Sequence, residues 1–156
     1  MIEKVINTRN MQQAFIRVVQ NKGSAGVDGM SVNALKDFVR MNRERIAHAM
    51  KEGDYRPQPI LGVSIPKSNG KTRLLGIPTA RDRWLQQCVA QVLEPKFEFD
   101  FKLHSYGFRL GKNAHQCVLQ AQQYINGGFN HIVDIDLKSF FDEVDHCLLL
   151  QQFIAR

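Results

Sequence analysis

The sequence predicts an α+β fold, with helices packed around a short antiparallel hairpin and one further strand downstream. Three observations lead there. Apolar residues recur at intervals of three and four in the first fifty positions, the spacing of an amphipathic helix. Two short apolar runs, 60–65 and 73–77, then flank Asn69-Gly70, a strong short-range hairpin signal. A third run, 131–137, alternates apolar and polar residues.

Taken in order, Met11, Ala14, Phe15, Val18 and Val19 form the stripe of a helix over 8–22, which Gly23 is expected to stop. The stretch NKGSAGVDGMS reads as a loop, with Ser31 placed to cap a second helix through Leu35, Phe38, Ile46 and Met50 to Gly53. After the hairpin, Pro78 ends the second strand. Thr79 and Asp82 form an acidic variant of the capping box, opening a helix through Trp84, Leu85, Cys88, Val89, Val92 and Leu93 that Pro95 is expected to close. Phe97, Phe99 and Phe101 alternate like an extended segment. A turn, HSYGFRLGKN, precedes a helix capped by Asn113 and ended by Gly127 and Gly128. The last helix carries Leu148, Leu149, Leu150, Phe153 and Ile154 to the terminal Arg156, with no stop signal. An apolar helix with neither cap nor partner suggests the start of a longer protein and is expected to let the chain dimerise through this end.

A chain of 156 residues, 44% hydrophobic and 23% charged, suits one globular domain and excludes a disordered segment. No repeat or composition shift marks an internal boundary. No apolar run reaches the ~18 residues of a membrane span and no signal peptide opens the chain, so the expectation is a cytoplasmic protein with no membrane partner. Cys88, Cys117 and Cys147 are widely spaced and form no C-x-x-C pair, so each is expected to pack as a small apolar side chain.

Ten Lys and Arg against four Asp and Glu lie between Arg56 and Lys112, which accounts for the whole net charge of +6. This basic window precedes the acids Asp134, Asp136, Asp142, Glu143 and Asp145. Charge alone fits a phosphate-rich ligand beside a cation site and a solvated basic face equally. In HIVDIDLKSFFDEVDH, Val133, Ile135 and Leu137 would face one way on a strand and Asp134 and Asp136 the other, roughly 6.6 Å apart at ~3.3 Å per residue. Carboxylates at a strand end suit magnesium. Two isolated aspartates would fit the polar face of an edge strand better; Phe141, five residues past Asp136 where the chain leaves the strand, favours the metal site. Lys67, Lys71 and Arg73, at or beside the hairpin turn, could reach over a triphosphate, although any exposed turn can carry lysines.

In order and spacing, IPKSNGKTRLLGIPTARDRWLQQCVAQVLEPKFEFDF, HSYGFRLGKNAH and VDIDLKSFFDEVDH resemble the reverse transcriptase domain of group II intron-encoded proteins, or maturases. NKGSAGVDGMSV is similar to that family's N-terminal extension loop. The resemblance runs from about Met11 onward. It implies the fingers subdomain of a right-hand polymerase, with an N-terminal extension over 1–30, fingers over 31–130 and the start of the palm over 131–156.

The resemblance implies that Asp136 is a catalytic metal ligand, with the Leu137 carbonyl helping to hold the second of two Mg2+ ions. Asp134 is out of register with that ligand and stays an acid behind the site or on the surface. Lys67 and Arg73 would grip the incoming triphosphate, helped by backbone amides near Ser139 and Phe140. Phe141 would be the aromatic gate against a ribose 2′-hydroxyl. Gly76, Ile77 and Pro78 would line the templating base, the loop 23–29 with Gly23, Ser24, Ala25 and Gly26 would cover the template-primer, and Lys71 and Arg109 would contact it. For Gly107, Phe108 and Arg109, a turn with a buried Phe and an Arg salt bridge is an equal explanation, and Leu110 replaces the family's usual proline. His146 is expected to pack near the start of the last helix.

The implied function is RNA-directed DNA polymerase with a splicing-assisting role. The implied partners are group II intron RNA, an RNA template with a DNA primer, and deoxynucleoside triphosphates. The Tyr-x-Asp-Asp turn that such polymerases need is absent, because the chain has no Asp-Asp pair, so it is expected to bind nucleic acid without polymerising alone. The alternatives are another bacterial reverse transcriptase (retron, diversity-generating or CRISPR-associated) and a non-catalytic RNA-binding module.

Overall fold

A computed structural model describes residues 1–68 and 70–155. The chain packs as two units, Met1–Lys102 and Leu103–Arg156, each described here by itself.

The first unit is built on helices α1 (Ile2–Val5), α2 (Thr8–Gln20), α3 (Leu35–Glu52) and α4 (Ala80–Phe97), with β1 (Leu61–Pro66) and β2 (Thr72–Ile77) paired as an antiparallel hairpin between α3 and α4. The α2 stripe (Met11, Ala14, Val18) buries against Ala80, Trp84, Leu85 and Cys88 of α4, and Leu35 and Ile46 of α3 complete the core. Two polar side chains that reach into this core, Trp84 and Asn10, are paired. The fully buried Trp84 donates its Nε1–H to the Met11 carbonyl at 2.9 Å. Asn10 Nδ2 donates to the carbonyls of Val5 at 2.8 Å and Cys88 at 3.0 Å, which ties α1 and α2 to α4. Burying such amides without partners would cost more than the contacts return.

Local signals set the helix ends with some departures. Asn7 caps α2 by accepting from the Arg9 amide, and Lys22 takes the left-handed conformation (φ 49°), so α2 stops at Gln20 before Gly23 acts. The Ser31 hydroxyl accepts from Ala34 N at 3.3 Å, capping the turn that leads into α3; the helix itself starts later, and Gly53 ends it with φ 79°. The Thr79 cap of α4 forms as expected. Pro95 does not close α4. It sits in the last turn, where its missing N–H forfeits a single ladder bond, and the helix runs on to Phe97. A 3₁₀ turn, Glu98–Asp100, replaces the extended segment expected around the three phenylalanines.

In the second unit, α5 (Ala114–Asn126) carries a full capping box of Asn113 and Gln116, and α6 (His146–Ile154) is capped by Asp145, whose Oδ1 accepts from Cys147 N and Leu148 N. His146 opens α6 and is exposed. Among the described residues of this unit no side chain is buried. The strand expected over 131–137 is not formed. A strand holds its shape by pairing, and the two strands among the described residues pair with each other. Val133, Ile135 and Leu137 are exposed along with Asp134 and Asp136, so the alternation in the sequence sorts no faces. Phe108 is fully exposed at φ 55°, against the buried ring that was one of the two readings of this turn, and Arg109 donates to the Ser105 carbonyl at 2.8 Å. Of the cysteines only Cys88 packs inside; Cys117 and Cys147 are exposed. No helix among the described residues is long and apolar enough to cross a membrane.

Candidate functional site

The hairpin register pairs Leu61 with Ile77, Val63 with Leu75, Ile65 with Arg73 and Pro66 with Thr72. Side chains alternate along a strand, so Ile65 and Arg73 share a face with Val63 and Leu75. Lys67 N donates to the Lys71 carbonyl at 2.6 Å, which carries the pairing one step further and sets Lys67 and Lys71 on that same face. Gly70 completes the turn at φ 76°, donating to the Lys67 carbonyl; Asn69, the other half of the hairpin signal, lies outside the described residues. The result is a hairpin tip with three exposed cations on one face, Lys67 and Arg73 as diagonal neighbours at roughly 7–8 Å. That spread suits a chain of phosphates better than a single carboxylate.

At the hairpin root stands Asp82, only 4% exposed. Its Oδ2 accepts from the Thr79 hydroxyl at 2.5 Å and Gln58 N at 3.1 Å, and its Oδ1 from the Tyr55 hydroxyl at 2.5 Å. The Arg81 guanidinium lies 5.6 Å from the Tyr55 ring centroid. Burial, and then the hydrogen bond and charge of Asp82, hold the Tyr55 phenol above its ordinary range, so it is a neutral donor. Sequence reasoning missed Tyr55 and Gln58 and saw Asp82 only as a cap partner of Thr79. The spacing from 79 to 82 was the one local signal for this cluster; the other contacts reach across more than twenty residues.

The glycine loop touches the same root. A Cβ on Gly26 would come within 2.7 Å of Thr79 Cα and 3.0 Å of the Pro78 carbonyl carbon, so only glycine lets the two backbones approach. A Cβ on Gly23 would collide with the Arg83 guanidinium, which donates to the Gly23 carbonyl at 3.5 Å. The loop 23–26, with Ser24 exposed and Ala25 half-buried, thus packs against the junction after Gly76, Ile77 and Pro78. Gly76 in turn lies under Ile60, where a Cβ would come within 2.9 Å of its Cγ2.

The second unit holds the remaining candidates: Asp136, Leu137, Ser139, Phe140, Phe141 and Arg109. Ser139 adopts φ 50°, and its carbonyl accepts from Asp142 N at 3.0 Å and Glu143 N at 3.1 Å, making a tight turn after the acid. Phe140 and Phe141 meet edge to face at 5.3 Å, with Phe141 87% exposed. Among the described residues no three carboxylate, imidazole or thiol groups gather as a metal cage. The exposed Asp136 carboxylate and the Leu137 carbonyl are hard oxygen donors of the kind magnesium takes, so they fit part of such a site.

A family model described as reverse transcriptase (RNA-dependent DNA polymerase) matches residues 65–156. The chain belongs to the reverse transcriptase family. The match takes in the hairpin tip, α4 and the whole second unit. Protein YkfC of Escherichia coli is 37% identical over 130 residues, covering 81% of this chain and 34% of YkfC. The group II intron-encoded protein LtrA of Lactococcus lactis is 33% identical over 138 residues, 88% of this chain and 23% of LtrA. The COX1/OXI3 intron 1 protein of Saccharomyces cerevisiae is 25% identical over 146 residues, 94% of this chain and 17% of that protein. This reverse transcriptase chain therefore spans about a third or less of the length of these relatives. Reverse transcriptase domains work on nucleic acids and use divalent metal ions.

Proposed function

We propose that the whole protein is an RNA-directed DNA polymerase of a group II intron that also binds the intron RNA and assists its splicing. In the same reading, residues 1–30 are an N-terminal extension, 31–130 the fingers and 131–156 the beginning of the palm. The likeness to LtrA supports the intron assignment. The observation that carries the polymerase reading is the set of three cations, Lys67, Lys71 and Arg73, on one face of the hairpin inside the family match.

In this reading Lys67 and Arg73 hold the triphosphate by charge-assisted hydrogen bonds, with the amides at Ser139 and Phe140 contributing and the Phe141 ring standing where a ribose 2′-hydroxyl would come. The primer 3′-hydroxyl attacks the α-phosphorus in line and pyrophosphate leaves. Asp136 and the Leu137 carbonyl would hold magnesium; when bound, two such ions supply charge stabilisation at the attacking and leaving oxygens. The loop 23–26, Gly76, Ile77, Pro78, Lys71 and Arg109 would line the RNA template and DNA primer. With one carboxylate ligand and no Asp-Asp pair, the 156-residue chain alone binds nucleic acid without extending a primer.

Steady-state primer extension by the whole protein tests the triphosphate grip. Lys67→Ala and Arg73→Ala are each expected to raise the KM for deoxynucleoside triphosphate or lower kcat/KM by about tenfold or more. Unchanged nucleotide dependence in both variants discards the assignment. The 156-residue chain should also dimerise through α6, whose Leu148, Leu149, Leu150 and Ile154 are exposed. Light scattering that finds a strict monomer at high concentration removes that part of the reading.

A further inference from the structure

We infer that Asp82 is a positioning residue, its buried carboxylate clamping both roots of the β1–β2 hairpin and so setting where the face of Lys67, Lys71 and Arg73 stands. The inference rests on the proposed role of that face in holding the triphosphate. Capping α4 needs only the bond from Asp82 N to the Thr79 hydroxyl, at 3.1 Å. The carboxylate does more. It takes donors from Gln58, three residues before β1, and from Thr79, two residues after β2. Carried past its last pair, the strand register brings these two positions nearly opposite each other, so Oδ2 acts as one more rung below the ladder. Tyr55, three residues past the end of α3, holds the other oxygen. A buried carboxylate is tolerated only when hydrogen-bonded, and its donors Tyr55, Gln58 and Thr79 belong to the hairpin root or to the chain leading into it.

The hairpin needs such a clamp because its own packing cannot aim it. All its described residues are exposed except Leu61, Ile65 and Ile77, which are half-buried. Arg73 lies six residues before Thr79, roughly 20 Å at ~3.3 Å per residue, so a tilt of about 10° at the root would carry the guanidinium ~3.5 Å. Charge-assisted hydrogen bonds need their donors about 2.7–2.9 Å from the phosphate oxygens, so a shift of that size would break the grip on the nucleotide and show first in KM. The same carboxylate also holds Thr79 against the backbone of Gly26, so the glycine loop and the hairpin take their places from one anchor.

The test is steady-state primer extension by the whole protein, beside hydrogen exchange of the β1, β2 and α2 amides. Asp82→Asn is expected to raise the KM for deoxynucleoside triphosphate about tenfold while kcat stays within about twofold, and to quicken exchange in β1 and β2 but not in α2. Tyr55→Phe removes one donor and keeps the ring beside Arg81; it should raise KM about threefold with the same split. If Asp82→Asn does not fold, Tyr55→Phe decides. Unchanged KM in the folded variants, while Lys67→Ala raises it, overturns the clamp, and so does a parallel loss of kcat with uniformly faster exchange. If Lys67→Ala and Arg73→Ala both leave KM unchanged, the reading of the cationic face has failed instead. Hydrogen exchange then judges the clamp alone: faster hairpin amides beside a quiet α2 support it, and unaltered hairpin amides overturn it.

Discussion

The two units of this chain are specified by different physics. In Met1–Lys102, α2 and α4 are fixed twice, by the side-chain caps Asn7 and Thr79 and by a shared core around Trp84, Met11 and Leu35. In Leu103–Arg156 the caps are at least as good, with a reciprocal box at Asn113 and a two-amide cap at Asp145, yet no described side chain is buried. Capping supplies about 1 kcal/mol per helix end, whereas burying a large apolar side chain supplies ~1.5–3 kcal/mol. The contrast teaches that local signals can place a helix without a buried core behind it.

The largest test of that contrast is a pair of truncations. Trp84→Ala removes a fully buried indole and its bond to Met11, and should destabilise the first unit by ~3–5 kcal/mol in urea unfolding. Leu149→Ala should change stability by less than about 0.5 kcal/mol, because the side chain is already 44% exposed. Similar losses in both variants would break the comparison.

A smaller effect comes from titration and thiol labelling. Burial pushes the Cys88 thiol up to about 12, and Tyr55 is also raised, so the fold favours the protonated, neutral form of both. Their contribution to stability is fully present below the unfolded values, about 8.5 for a thiol and about 10 for a phenol, and is lost as pH rises through the folded ones. Urea midpoints should therefore fall between about pH 9 and pH 12, less so in Tyr55→Phe. At pH 8 a thiol reagent should label Cys117 and Cys147 at once and Cys88 only as the first unit unfolds. Prompt labelling of all three would show that the first unit opens as readily as the second.

The helices and the hairpin were legible because their signals are local: the stripe of α2, the Thr79 and Asn113 caps, the glycine at 53 and the Asn-Gly turn. The run 131–137 was misread as a strand because alternation states a preference that only a neighbouring strand can satisfy. Pro95 misled because its cost depends on its position within the helix, and α1 went unseen because four residues carry no period. At the candidate site the sequence supplied the three cations and Asp136. It hid the cluster at Asp82, whose partners Tyr55 and Gln58 lie 27 and 24 residues away. Contacts of that range are made by the fold and leave no spacing to read.

We propose Asp136 as a metal ligand of a nucleotidyl-transfer site, distinct from the cations proposed to hold phosphates. Primer extension measured beside filter binding of RNA, on the whole protein and its Asp136→Asn variant, tests it most directly. Extension should be abolished while RNA affinity stays within about twofold, since the change would remove a metal ligand and no phosphate contact. An Asp136→Asn protein that still extends primers would contradict it.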